Sequence, residues 1–174
     1  ADAKGLLLSA IRDPDPVIFF EPKRLYRTAK GDVPDGEYTV PIGKAQTVKE
    51  GKDMSIITWG ASVVLCEEAV KHLAQQGIDT EIIDLRSISP YDIDAVLATT
   101  KKTGRVLVVH EAPRTSGFST EIAAQISEKA LYYLKAPIFR VTGYDTVMPL
   151  YKLENSYLPS IEKIVFTAKK LMEH

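Results

Sequence analysis

Cysteine is nearly absent from this chain: Cys66 is the only one in 174 residues. A lone thiol excludes an internal disulfide and suits a reducing compartment. With three histidines, no Cys/His spacing for a zinc site can be drawn. Cys66 follows Val63, Val64 and Leu65 on an apolar helical stretch, so it reads as a small core residue, not a nucleophile. Glycine-rich phosphate loops are also missing. After the apolar run MSIITW (54–59) the chain continues GASVVLCEE, with one glycine where a dinucleotide fold needs G-x-G-x-x-G. There is no P-loop and no G-x-S-x-G nucleophile elbow. No basic stripe alternates with aromatics, and the net charge is -1, so no nucleic-acid footprint is expected. No apolar run approaches the about 20 residues of a membrane span.

What is present is an ordinary globular composition, 45% hydrophobic and 26% charged, enough for one compact domain or a domain with an appendage. The opening ADAKGLLLSAIRD does not read as a signal peptide, because its apolar stretch is short and Asp13 closes it. It lacks an initiating Met and starts within a helical pattern, so further residues are expected before Ala1. Ala3–Ile11 is predicted as a helix broken by Asp13-Pro14-Asp15-Pro16, and Val17–Phe20 as a short buried strand. Residues 27–44 hold three glycines and two prolines and read as a connection at a domain boundary. Ala45–Lys49 is a candidate strand leading into the next unit.

From Met54 the rhythm becomes strand then helix, repeated. Strands are predicted at 54–59, 80–85, 105–110 and 137–142. Helices are predicted over Val63–Gln76, ended by Gly77, over Tyr91–Lys102, entered through Pro90 and ended by Gly104, over 119–134, and over Ser160–Met172 with Ser160 as N-cap. In GAS (60–62), Ser62 is expected to cap the first of these. The alternation predicts an α/β fold with a mostly parallel, doubly wound sheet whose crevice lies beyond the strand C-termini.

Those termini carry the candidate chemistry. His110 and Glu111 end the third of these strands. Adjacent residues on a strand point to opposite sides, so they are not expected to touch each other. Either could be an acid, base or anchor in the crevice, or the two could fix the corner by hydrogen bonds or sit in a subunit interface. No catalytic set is completed nearby. Asp84-Leu85-Arg86 reads as an ion pair or interface anchor. Asp13 and Asp15, with free carbonyls near them, suit a hard cation, and equally a helix-ending Asx turn. The residues alone give an α/β domain without a self-sufficient catalytic kit.

The run DAKGLLLSAIRDPDPVIFFEPKRLYR, followed by VPIGKA, EGKDMSIITWGASV, IDLRSISPYD, KKTGRVLVVHEAPRTSGFSTEIAA and APIFRVTGYDTVMP, resembles the β subunit of the thiamine-diphosphate-dependent 2-oxo acid dehydrogenases. The resemblance covers essentially the whole chain, in order, and is to the C-terminal half of that subunit. It implies a transketolase C-terminal-domain-like fold over 49–174, a linker over 31–48, and the end of a pyrimidine-binding domain over 1–30. EPKRLYR and GYDTVMP resemble the branched-chain (2-oxoisovalerate) enzymes more than the pyruvate enzymes, with pyruvate and acetoin dehydrogenases as alternatives.

The resemblance implies oxidative decarboxylation of a 2-oxo acid with acyl transfer to a lipoyl group, in an α2β2 assembly. The partners it implies are an α subunit, a second β subunit and the subunit-binding domain of an acyltransferase core. Thiamine diphosphate and Mg2+ would serve that assembly, but no residues here match the family's cofactor-activating Glu or catalytic His. The chain alone is therefore expected to be inactive, and an isolated docking and dimerisation domain is the competing reading. The family's potassium site has its later half on LSAIRDPD, which implies K+ ligands at Ala10 (by its carbonyl), Asp13 and Asp15. His110 and Glu111 match the family's HEAP corner, which implies interface or structural roles. Acidic side chains and the carboxylate at His174 are expected contacts for a basic docking module. The compartment implied is the cytoplasm in a bacterium or the mitochondrial matrix in a eukaryote. Because the first thirty residues are expected to pack on a further domain, exposed apolar surface is expected around Leu6, Leu7, Leu8 and Phe19.

Overall fold

The computed structural model describes residues 1–27 and 30–174; Thr28 and Ala29, inside the connection expected over 27–44, lie outside the described residues. Five strands form one sheet: β1 (Gln46–Lys49), β2 (Met54–Thr58), β3 (Thr80–Asp84), β4 (Val106–Pro113) and β5 (Phe139–Gly143). Their order is β1-β3-β2-β4-β5. β1 runs antiparallel to β3, and all other pairs are parallel.

The helices follow from the alternation. α1 is Asp2–Arg12, α2 is Ser62–Ala74, α3 is Ile93–Thr103, α4 is Ser119–Ala130, α5 is the short Glu154–Tyr157, and α6 is Ile161–Met172. Successive strand residues face opposite layers. Ile56, Ile82, Leu107 and Val109 pack with Cys66, Val70 and Leu73 of α2 and Ile164, Ala168 and Leu171 of α6. Ile57, Ile83, Val106 and Val108 pack with Val96 of α3 and Ile122 and Ile126 of α4. Because the strands are buried on both faces, their sequences run continuously apolar. Cys66 is fully buried, and burial pushes its thiol up to about 12, so it is a core residue as its neighbours suggest. Among the described residues, no helix is long and apolar enough to cross a membrane.

The helix punctuation holds in part. Gly104 ends α3 at φ +73, and Ser160 caps α6, its Oγ accepting the N–H of Lys163 at 3.3 Å. Gly77, at φ +78, carries the left-handed turn after α2. Ser62 does not cap α2. It is already the first helical residue, and its hydroxyl turns into the core without a partner. Pro90 does not open α3 either; Asp92 does, its Oδ1 accepting the N–H of Ala95 at 3.1 Å. The helix expected over 119–134 ends at Ala130 and tightens into a 3-10 turn over Leu131–Tyr133. β4 runs past His110 to Pro113, which pairs with Gly143 beyond a register irregularity that tolerates proline.

The expected buried strand at Val17–Phe20 does not form. These residues have no neighbouring strand to supply hydrogen bonds, and Ile18 and Phe20 are 80% and 83% exposed. Apolar surface is exposed around Leu6, Leu7, Leu8 and Phe19, at Leu7, Ile11, Ile18 and Phe20, while Leu6, Leu8 and Phe19 themselves are half-buried. The reason is local. α1 docks on 38–40, where the Val40 N–H donates to the Gly5 carbonyl (3.1 Å) and Ser9 Oγ donates to the Val40 carbonyl (2.6 Å).

Candidate functional site

β2 and β4 are neighbours, but the helices that follow them pack on opposite faces of the sheet: α2 in one core, α4 in the other. In an open α/β sheet this divergence opens the crevice that takes a ligand. In this chain the crevice is filled with rings. Trp59, just after β2, stacks on His110 of β4 with centroids 5.1 Å apart and planes 10° apart. Phe118 meets Trp59 edge-on at 5.6 Å, and Tyr91 meets Phe118 edge-on at 5.1 Å.

His110 is 1% exposed, and its Nε2 lies 2.7 Å from Ser119 Oγ at the start of α4. Its Nδ1 is buried and has no hydrogen-bond partner. Burial, then the charge of Arg140, pushes the imidazole down to about 4, so it is neutral at pH 7. The loop between them must be bare: a Cβ on Gly117 would come within 2.7 Å of His110 Cε1 and closer still to the Pro113 carbonyl. The ring is thus sealed and bonded across the β4–α4 corner.

Glu111 points away from this cluster and is exposed. Partial desolvation of its carboxyl by neighbouring groups raises its pKa, the charge of Arg24 opposes that, and Glu154 adds to it. The two residues are therefore brought to one corner but do different things, one inside and one at the surface.

At the end of β3, of the two readings of Asp84-Leu85-Arg86, the ion pair between the Asp84 and Arg86 side chains does not form. Asp84 Oδ1 accepts the backbone N–H of Arg86 at 2.9 Å, because Arg86 turns at φ +56. The guanidinium instead donates to the carbonyls of Lys44 (3.0 Å) and Ala45 (3.2 Å), stapling the approach to β1, and lies 3.6 Å from Asp2 of α1. Burial pushes the Asp84 carboxyl up to about 6, against the Arg86 N–H and charge.

Ala10 lies in the last turn of α1, so its carbonyl is among the four left without an intrahelical donor. Asp13 follows the helix, and its Oδ1 accepts the Asp15 N–H at 3.0 Å, an Asx turn. The three span the end of α1 and the turn that follows it. Among the described residues, no group of three or more His, Cys, Asp or Glu side chains converges as a metal site would require.

No local pattern in the sequence marks Trp59, Gly117 or Ser119 as a neighbour of the His110 ring. The one available signal was the single tryptophan placed at a strand end.

The fold is thus a doubly wound α/β domain, and the chain belongs to the family described as transketolase, C-terminal domain, whose model matches residues 43–164. It is similar to 2-oxoisovalerate dehydrogenase subunit beta, mitochondrial, from Dictyostelium discoideum, with 51% identity over 172 residues, covering 98% of this chain and 46% of that one. It is also similar to pyruvate dehydrogenase E1 component subunit beta from Acholeplasma laidlawii, at 49% over 98% of this chain and 52% of the relative. The Bacillus subtilis (strain 168) protein of the same description is 46% identical over 99% of this chain and 53% of its own length. The chain spans about half the length of these relatives. Among solved structures, a split-gene transketolase described as an inactive beta4 tetramer superposes with a TM-score of 0.71 at 24% identity, over 84% of this chain and 47% of that one. That likeness is one of fold.

Proposed function

We propose that this chain serves as the assembly-forming C-terminal portion of a 2-oxo acid dehydrogenase β subunit. The observation that carries the reading is 51% identity to a 2-oxoisovalerate dehydrogenase β subunit over 98% of the chain. The reaction of the assembly would be oxidative decarboxylation of a branched-chain 2-oxo acid with acyl transfer to a lipoyl group. Thiamine diphosphate would supply the carbanion chemistry there. This chain's own residues do not fit that cofactor or its Mg2+: no side-chain cluster among the described residues suits a metal, and no glycine-rich loop follows a strand. Other parts of the assembly would hold the cofactor.

What the chain contributes is surface. Val147, Leu150 and Tyr151 are exposed, as are Ile18 and Phe20. Arg24 ties the two stretches together, donating to Asn155 Oδ1 at 3.0 Å and lying 3.7 Å from Glu154. Exposed apolar side chains of this kind support contact with an α subunit and a second β subunit. Acidic side chains and the terminal carboxylate would meet the basic subunit-binding domain of the acyltransferase core. Ala10, Asp13 and Asp15 would form part of a K+ site completed by residues beyond this chain. The compartment would be bacterial cytoplasm or mitochondrial matrix, according to the host.

A pyruvate-specific assembly is the second reading, favoured by the 49% and 46% identities to pyruvate dehydrogenase β subunits. The test is turnover of 3-methyl-2-oxobutanoate and of pyruvate with thiamine diphosphate, Mg2+, K+ and an artificial electron acceptor. It is run on this chain alone and on a full-length β subunit carrying it, paired with its α partner. Turnover only in the pair, faster with the branched substrate, is the expected result. Turnover by these residues alone would overturn the proposal, and a preference for pyruvate would move it to the second reading.

A further inference from the structure

We propose that the cleft beyond the C-terminal end of β5 binds the phosphoryl group of a small phosphomonoester dianion. The cleft encloses about 270 Å³ between β5, the loop after β4 and α6, and its lining includes Arg114, Arg140, Gly143, Tyr144, Lys163 and Thr167. It lies where open α/β sheets take ligands, but at the sheet edge, away from the crevice that Trp59 and His110 fill.

Three cations line it and their charge is only partly matched. Arg140 Nη1 donates to the Arg114 carbonyl at 3.2 Å, and Arg114 Nη1 donates to the Arg140 carbonyl at 3.4 Å. This crossing holds the two guanidinium groups near each other and leaves most of their five donors apiece unspent. Among the described residues, neither arginine forms an ion pair. The carboxylate in the cleft, Asp145, accepts the Thr115 N–H and the Thr115 hydroxyl, each at 2.8 Å, and its charge offsets part of that of Arg114 and Arg140. Lys163 is fixed too, donating to the Ser156 and Leu158 carbonyls at 3.1 Å with its ammonium 4.7 Å from the Tyr144 ring centre.

Three cations less one carboxylate leave a formal charge of +2 in the lining. A dianion neutralises that; a monocarboxylate does not. Planar guanidinium forks suit a tetrahedral oxyanion. Burial, then Arg114, holds Arg140 below the usual guanidinium range against the opposing charge of Asp145, and a bound dianion would relieve what repulsion is left. The volume falls under the ~300 Å³ floor of drug-sized pockets, so the ligand is a phosphoryl group with a short organic remainder.

The test does not depend on any 2-oxo acid activity. The 174-residue chain is titrated with glycerol 2-phosphate, inorganic phosphate and acetate at constant ionic strength, followed by calorimetry and phosphorus NMR. Saturable binding of both phosphates, much weaker binding of acetate, and about tenfold loss in each of Arg114→Gln and Arg140→Gln are expected. Lys129→Gln on exposed α4 surface should bind as wild type does. Tighter binding of glycerol 2-phosphate than of phosphate would assign the organic remainder to the cleft as well, and equal binding would assign the phosphoryl group alone. No saturable binding, acetate binding as tightly as phosphate, or binding unchanged in folded Arg114→Gln would each overturn the proposal. Arg114 is on an exposed loop, so that variant decides the question even if Arg140→Gln fails to fold.

Discussion

The His110 imidazole lies flat on the Trp59 indole, 5.1 Å between centroids, and joins the ends of β2 and β4 where the chain diverges to opposite faces. The stack occupies the position that a ligand takes in other doubly wound sheets. Truncating Trp59 to Ala should therefore destabilise the domain by about 3 kcal/mol, within the usual range for a packed aromatic. Urea unfolding followed by far-UV circular dichroism checks this. An unchanged midpoint would mean that the stack does not hold the corner.

The Ser119 hydroxyl is the sole hydrogen-bond partner of the His110 ring among the described residues. Ser119→Ala should cost about 1–3 kcal/mol, because it strands a second buried nitrogen. Adding His110→Phe to Ser119→Ala should recover part of that loss, since both polar partners are then gone. A double-mutant cycle measures the coupling.

Acid should loosen this corner. The imidazole is held at about 4, below its unfolded value of ~6.5, so the unfolded chain binds the proton more readily between those values. Its contribution is present above pH ~6.5 and is lost as pH falls through 4, amounting to roughly 3 kcal/mol at most. Asp84 acts in the opposite sense. Its carboxyl is raised to about 6, so its contribution is present in acid and is lost as pH rises through 6. Asp84→Asn keeps an acceptor for the Arg86 N–H and should stabilise the chain at pH 7 relative to wild type, with no gain at pH 4. Unfolding at both pH values tests each sign separately.

Gly117→Ala should be costly even though its φ is not in the left-handed range. The added methyl meets the His110 ring and the rigid Pro113 carbonyl, and an overpacking penalty of about 1–3 kcal/mol follows. A thermal melt of the variant measures it.

The sheet was legible in the sequence because its central strands are apolar on both faces and separated by helices, two of which end at a glycine turn. Val17–Phe20 carries the same apolar signal, yet forms no strand, because a run of side chains does not reveal whether a partner strand exists. Asp84 and Arg86 were legible as neighbours but not as a backbone turn, because the positive φ of a non-glycine residue leaves no mark in sequence. His110 was legible as a strand end. Its stacking on a residue 51 positions earlier is a product of topology, which no local pattern encodes.

The lone Cys66 sits on α2 with its sulfur sealed against β2 and α6. Its thiol is kept protonated, so no reagent attacks it in the closed molecule. Labelling must wait until the α2 layer lifts from the sheet. The rate of modification therefore works as an internal clock for the opening of the core, and it needs no engineered probe and has no second thiol to confuse the signal.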